Sequence, residues 1–246
     1  MPVEFRADLH IHTCLSPCAD IGMTPLRIIE KAASLWLNII AISDHNSAEN
    51  AEVARRLGMK KGINAIPGME ITSSEEVHVL GLFRHIKDAW KMQNIVYENL
   101  QPGENDENAF GMQVVVNEEE EVLGFNRRLL IGATRLSVNN LVEAIHSFNG
   151  IAIAAHIDRE GFGIISQLGF IPSDLKLDAL EISSRVPIKE AESRFKEYSH
   201  IPWIVSSDAH SLNDIGKACT GFFMEHSTFE ELRLALKGTG GRKISC

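Results

Sequence analysis

The strongest constraint in this chain is a repeated pairing of a short apolar run with a histidine or carboxylate at or near its end. FRADLHIHT sets His10 and His12 at the end of the first run, and IIAISDHN sets Asp44 and His45 just after the second. AIPGMEIT ends near Glu70, and EEVHVLGLF carries His78 within its run. IAIAAHIDR leads into His156, Asp158 and Arg159, and IPWIVSSDAH into Asp208 and His210. Runs of roughly 4–8 apolar residues between polar breaks read as buried strands. The expected strands cover residues 5–11, 38–43, 64–71, 77–83, 151–155, 179–183 and 203–206.

Helical patterns separate many of these runs. TPLRIIEKAASLWL (24–37) offers Thr24 as N-cap and Pro25 at the first helical position. SAENAEVARRLG (47–58) and SVNNLVEAIHSFNG (137–150) each close on a glycine, the residue that best ends a helix. STFEELRLALKG (227–238) begins with a capping pattern, Ser227 or Thr228 followed by Glu230 or Glu231. Alternating β and α elements read as a parallel sheet or a barrel. The chain of 246 residues suits one barrel-sized domain covering 1–246. The rhythm breaks at about 87–135, read as an insertion in which MQVVVNEEEEVLGF forms a β-hairpin around an acidic turn.

The net charge of −9 gives no global attraction to nucleic acid or to an anionic membrane. No run of 18 apolar residues occurs, so no membrane span is expected. MPVEFRADLH lacks a basic-then-apolar leader pattern, and four cysteines do not make a disulfide framework. The expected compartment is the cytoplasm, with Cys14 and Cys18 as reduced thiols.

In a closed barrel the strand ends converge on one mouth, so residues distant in sequence meet in space. Side chains two apart on a strand share a face, which puts His10 and His12 together. The candidate cluster is His10, His12, Asp20, His45, Glu70, His78, His156, Asp208 and His210, holding six of the ten histidines. Carboxylates that repel and imidazoles that lose hydration would not tolerate such crowding without cations. The nitrogen and oxygen donors suit zinc, manganese or iron, and their number suggests two or three divalent ions.

DLHIHT, SDHN, PGMEIT with VHVLGLF, AHIDR and SSDAH, in that order, resemble the PHP (polymerase and histidinol phosphatase) family. The resemblance implies a distorted (β/α)7 barrel, up to three metals at its mouth, and hydrolysis of phosphate esters. Its carried-over ligands would be His10, His12, Glu70 and Asp208 for the first ion. Glu70, His78 and His156 would hold the second, and Asp20, His45 and His210 the third. At Asp20 many members show S-D-G-x-x-x-P, whereas this chain has CADIGMTP and keeps only the spacing from Asp20 to Pro25.

The expected chemistry is attack on a phosphate ester by metal-activated water. Asp208 and His210 are candidates to protonate the leaving oxygen. Arg159 and Arg185 are candidates to bind phosphate, because guanidinium matches it bidentately. Asp44 is expected either to orient a ligand histidine or to cap the following helix. The acidic charge favours a small phosphorylated substrate, such as a nucleotide, over nucleic acid. The alternatives are an exonuclease or phosphodiesterase on short nucleic acid and a non-catalytic metal-binding module.

Overall fold

The computed structural model describes residues 1–245, so Cys246 lies outside it. The chain runs β1 (Val3–Ile11), α1 (Pro25–Ser34), β2 (Ile39–Ile42), α2 (Ala51–Lys61), β3 (Asn64–Thr72) and β4 (His78–Leu82). It continues through α3 (Ile86–Asn99), α4 (Glu107–Phe110), β5 (Val114–Val116), β6 (Val122–Phe125), α5 (Val138–Ser147), β7 (Ile151–Ala154) and α6 (Ile164–Leu168). It ends with β8 (Ala179–Ile182), α7 (Ile188–Arg194), β9 (Trp203–Val205), β10 (Thr220–Met224), α8 (Phe229–Leu236) and β11 (Lys243–Ser245).

The main sheet has nine strands in the order β11-β10-β1-β2-β3-β4-β7-β8-β9. It curls into a nearly closed α/β barrel. Beyond β9, Ala209 bridges to Ile11, and Asp8 accepts from the Ser207 N–H at 3.0 Å, which joins the last wall to the first. The wall is not uniformly parallel. β1, β2 and β3 run together, as do β7, β8 and β9, but β4 is antiparallel to both of its neighbours. The cause is the short link between β3 and β4, which has no room for a crossover helix and so reverses the chain. β10 and β11, which the apolar runs did not reveal, extend the sheet antiparallel beyond β1.

Alternation along each strand sorts the core into two layers. Ala7, Leu9, Ile66, Leu80, Leu82, Ile153 and Ala179 fill the interior, with Phe229 and Leu232 of α8 packed against them. Ile40, Met69, Ile71, Ala154, Leu180 and Ile182 pack outward with Ile28, Leu57 and Ile145 of the helices. Fully burying a side chain such as Leu232 contributes about 1.5–3 kcal/mol. α8 is fixed at the end of the barrel away from the mouth: Asn64 donates to the Ser227 carbonyl and Arg233 to the Asn149 carbonyl.

Capping follows the residues at the ends. Thr24 accepts from the Arg27 N–H, and Thr228 from the Glu231 N–H. α2 does not stop at Gly58 as expected, but at Gly62 with φ +73°. Gly58 serves packing instead, since a Cβ there would meet the Ile63 carbonyl oxygen at 2.7 Å. The β5–β6 hairpin forms where expected and lies over the loop after β1, with the Val114 N–H donating to the Cys14 carbonyl at 2.9 Å.

Candidate metal centre

The interior rows of the barrel change character at the mouth. Glu70 continues the row of Ile66 on β3, His78 that of Leu80 on β4, and Glu181 that of Ala179 on β8. On β1 a register shift between Asp8 and Ile11 breaks the alternation. Leu9 packs inside and Ile11 on the helix side, while His10 and His12 both reach the mouth. Bulges near functional sites often re-aim side chains in this way. Because β4 runs backwards, its first residue, His78, arrives at the end where the parallel strands finish.

Five imidazoles surround Glu70, which is 1% exposed. Its Oε1 lies 2.7 Å from His78 Nδ1, 3.1 Å from His156 Nε2 and 3.4 Å from His10 Nε2. Its Oε2 lies 3.1 Å from His45 Nδ1 and 3.5 Å from His12 Nε2. Asp208 Oδ1 lies 3.2 Å from His10 Nε2 and 3.1 Å from His12 Nε2. His156 and Asp208 hold positive φ, 28° and 49°, a conformation that non-glycine residues keep only when their surroundings enforce it.

Carboxylates stand behind these imidazoles. Both oxygens of Glu181 lie 3.1 Å from His10 Nδ1, so a proton there leaves Nε2 as a lone pair facing Glu70 and Asp208. Asp44 receives hydrogen bonds from the Thr13 N–H, the Thr13 hydroxyl and Ser16 Oγ, and Ser16 Oγ is 2.9 Å from His12 Nδ1. Asp44 therefore acts on His12 through Ser16 and does not cap α2, which begins seven residues later at Ala51. Asp158 holds the Ser183 N–H and hydroxyl, tying the loop after β7 to the end of β8.

The electrostatics of the cluster follow from burial and mutual charge. Burial would raise the Glu70 carboxyl, but His78 and His10 outweigh it and hold it well below the usual range. Burial would likewise raise Asp208, and His10 and His12 keep it ionised. His78 is pushed down to about 4 by burial, although Glu70 opposes the shift.

This donor set fits divalent metal. His156 Nδ1 is buried without a hydrogen-bond partner, and His45 Nδ1 and His78 Nδ1 have only the Glu70 carboxylate, at 3.1 and 2.7 Å but out of hydrogen-bond alignment. Such atoms cost about 1–3 kcal/mol each when left unsatisfied. Three overlapping groups have ligand atoms within 4.8 Å of one another: His10, His12, Asp208; His45, Glu70, His78; and His12, His45, His210. Two nitrogen or oxygen ligands on one tetrahedral zinc sit about 3.4 Å apart, given bonds of about 2.05 Å. The nitrogen and oxygen chemistry matches zinc, manganese or iron.

The chain is similar to several known proteins. YqxK of Bacillus subtilis is 32% identical over 110 residues, covering 43% of this chain and 28% of YqxK. The phosphoribosyl 1,2-cyclic phosphate 1,2-diphosphodiesterase of Eggerthella lenta is 30% identical over 80 residues, 30% of this chain and 29% of that protein. The matches thus span less than a third of either relative. The crystal structure of the lesion-specific endonuclease Q from Pyrococcus furiosus superposes with a TM-score of 0.76 and 23% identity, covering 98% of this chain and 58% of that one. The PHP-associated family profile matches residues 190–239. The profile match, the phosphodiesterase relative and the shared fold together support a place in the PHP family.

Within this centre, His10, His12, Glu70, His78, His156 and Asp208 come together, and His45 and His210 flank His12 with ring centroids 4.6 and 4.3 Å away. Asp20 does not join them. Its side chain is exposed and outside all three groups, while its N–H donates to the His210 carbonyl at 2.8 Å. The tight turns of the loop, Ala19 N–H to Ser16 O and Met23 N–H to Asp20 O, bring Cys18 to His210 instead. Burial would raise the Cys18 thiol, but the His210 and His45 imidazoles beside it bring it down to about 6.

Arg159 reaches the centre directly, with Nη1 2.6 Å from Asp208 Oδ2, whereas Arg185 is exposed on the loop after β8. Sequence reasoning missed Glu181 and Phe162. A lone carboxylate within the apolar run DALEIS was the available signal for Glu181. Phe162, which stacks on His78 at 4.3 Å, gave none.

Proposed function

We propose that this PHP protein is a metal-dependent phosphoesterase whose substrate is a small phosphorylated molecule. The observation that carries the reading is the convergence of five imidazoles on the buried Glu70, beside Asp208 and Arg159. Two or three divalent ions held by these residues would supply activated water and charge neutralisation at the phosphoryl group. Zinc, manganese and iron all suit the donors.

The chain's own residues have distinct duties in this reading. Glu70 and Asp208 gather the imidazoles, and Glu181 and Ser16 fix the orientation of His10 and His12. Arg159 Nε is buried without a partner, leaving a donor for a phosphoryl oxygen. Asp208 stays anionic between His10, His12 and Arg159, which suits it to orienting rather than donating a proton. His210, 32% exposed at the rim, could protonate a leaving oxygen only while its Nε2 holds no ion. Arg185 would meet only the outer part of a substrate. The insertion around 87–135 of this single barrel domain would form one wall of the substrate site. Among the described residues no helix is long and apolar enough to cross a membrane, and unpaired thiols suit a reducing compartment such as the cytoplasm.

A screen of nucleotides, nucleoside bisphosphates, cyclic phosphodiesters and short oligonucleotides tests the reading, with Mn²⁺, Zn²⁺ and Fe²⁺ added separately. The expected result is turnover of a small ester with shallow salt dependence. Turnover of oligonucleotides alone, falling steeply with salt, would assign the site to nucleic acid. Bound metal with no turnover across the panel would leave a metal-binding module.

A further inference from the structure

The loop after β1 carries the residue at which this chain departs from the family pattern, and the structure gives that departure a chemical meaning. We infer that Cys18, not Asp20, completes a third metal site with His45 and His210, making it a mixed nitrogen–sulfur site at the rim. The inference rests on the metal-centre reading above and adds a thiolate to it.

Geometry carries it. Cys18 Sγ lies 3.1 Å from His210 Nε2. Two ligands of one tetrahedral zinc, one nitrogen at about 2.05 Å and one sulfur at about 2.3 Å, stand about 3.5 Å apart. His210 Nδ1 is 2.9 Å from the Asp208 carbonyl, and a proton there leaves Nε2 as the lone pair that faces the sulfur. His45, 6% exposed, turns Nδ1 towards Glu70 Oε2 at 3.1 Å, and its ring stands beside His12 and His210. The ring nitrogens of His12, His45 and His210 already lie within 4.8 Å of one another. His12 faces Asp208 and His10, which leaves His45, His210 and Cys18 for the rim.

The insertion holds this loop in position. A Cβ on Gly111 would meet the Pro17 carbonyl oxygen at 2.3 Å, so residue 111 must be glycine for the insertion to press against the residue before Cys18. Gly111 also has φ +100°, which other residues rarely adopt. Cys14, by contrast, is buried against Val114 and Val116, with its Sγ facing the Val114 carbonyl.

A thiolate changes the ions that the rim accepts. Sulfur favours zinc, or iron(II) as the softer alternative, over manganese and magnesium, which prefer oxygen.

Cobalt(II) tests this without an activity assay. Metal-free protein titrated with Co²⁺ should show ligand-field bands from the whole centre and a near-ultraviolet thiolate-to-cobalt charge-transfer band. Cys18→Ser should abolish the charge-transfer band and lower the bound metal by one equivalent while keeping the remaining ligand-field bands. Cys18→Asp should restore the equivalent without the charge-transfer band, which also controls for folding. Asp20→Asn should leave the spectrum unchanged. Ligand-field bands without a Cys18-dependent charge-transfer band, or loss of the third equivalent in Asp20→Asn, would overturn the thiolate site and leave the metal centre standing. Failure of the protein to bind Co²⁺ at all would overturn both.

Discussion

The floor and the rim of the mouth use similar donors but hold them differently. On the floor, His10 and Glu70 project from strands and are essentially buried, and Glu181 stands behind His10. At the rim, His210 and Cys18 sit on loops, and His210 is steadied by a main-chain carbonyl rather than a carboxylate. A supporting carboxylate fixes the tautomer and raises ligand basicity, and strands position side chains more firmly than loops do. The difference teaches that the ions should not be equivalent: those on the floor stay bound, and the one at the rim exchanges.

The sharpest way to break this comparison is Glu70→Gln, which removes the charge that five imidazoles share. Metal content should collapse and turnover should fall by about 10³ or more, beyond the roughly 10–100-fold of an outer-shell loss. Elemental analysis of the purified variant together with steady-state rates checks it. Glu181→Gln should weaken the floor ions by roughly 10–100-fold with the fold intact, measured by competition with a chelator. If that variant lost the rim ion first, the ordering of floor and rim would be reversed. Arg159→Ala should raise KM for a phosphate ester about tenfold, or about 1.4 kcal/mol, in a substrate titration. Asp20→Asn should do least, with metal content and kcat/KM within roughly twofold of the parent protein.

Much of this was legible because both signals are local. Strand rows announce themselves as apolar runs, and a histidine at the end of such a run marks the mouth, as at His10, His156 and His210. The direction of β4 was less apparent, since an apolar run looks the same in either direction. Only the short link after β3 betrays it. β10 and β11 were not read from the sequence: KIS has only three residues, and TGFFM, although followed by Glu225 and His226, was passed over. Asp20 was assigned by its spacing from Pro25, but spacing along a loop does not fix where side chains point. The turns from Ser16 to Met23 decide that, and they set Cys18 beside His210. Phe162 owes its position to a left-handed φ of 61° in a loop, a property without a sequence signature in a phenylalanine.

The backward course of β4 makes the five residues between Thr72 and His78 a caliper rather than an ordinary surface turn. Thr72 pairs with His78 and Glu70 with Leu80, so removing or adding one residue that slid the pairing by one would swap the faces of β4. His78 would swing out among the helices and Val79 would enter the mouth. Evolution can lengthen many loops around such a barrel at little cost, but at this reversal it must either count residues or give up a ligand.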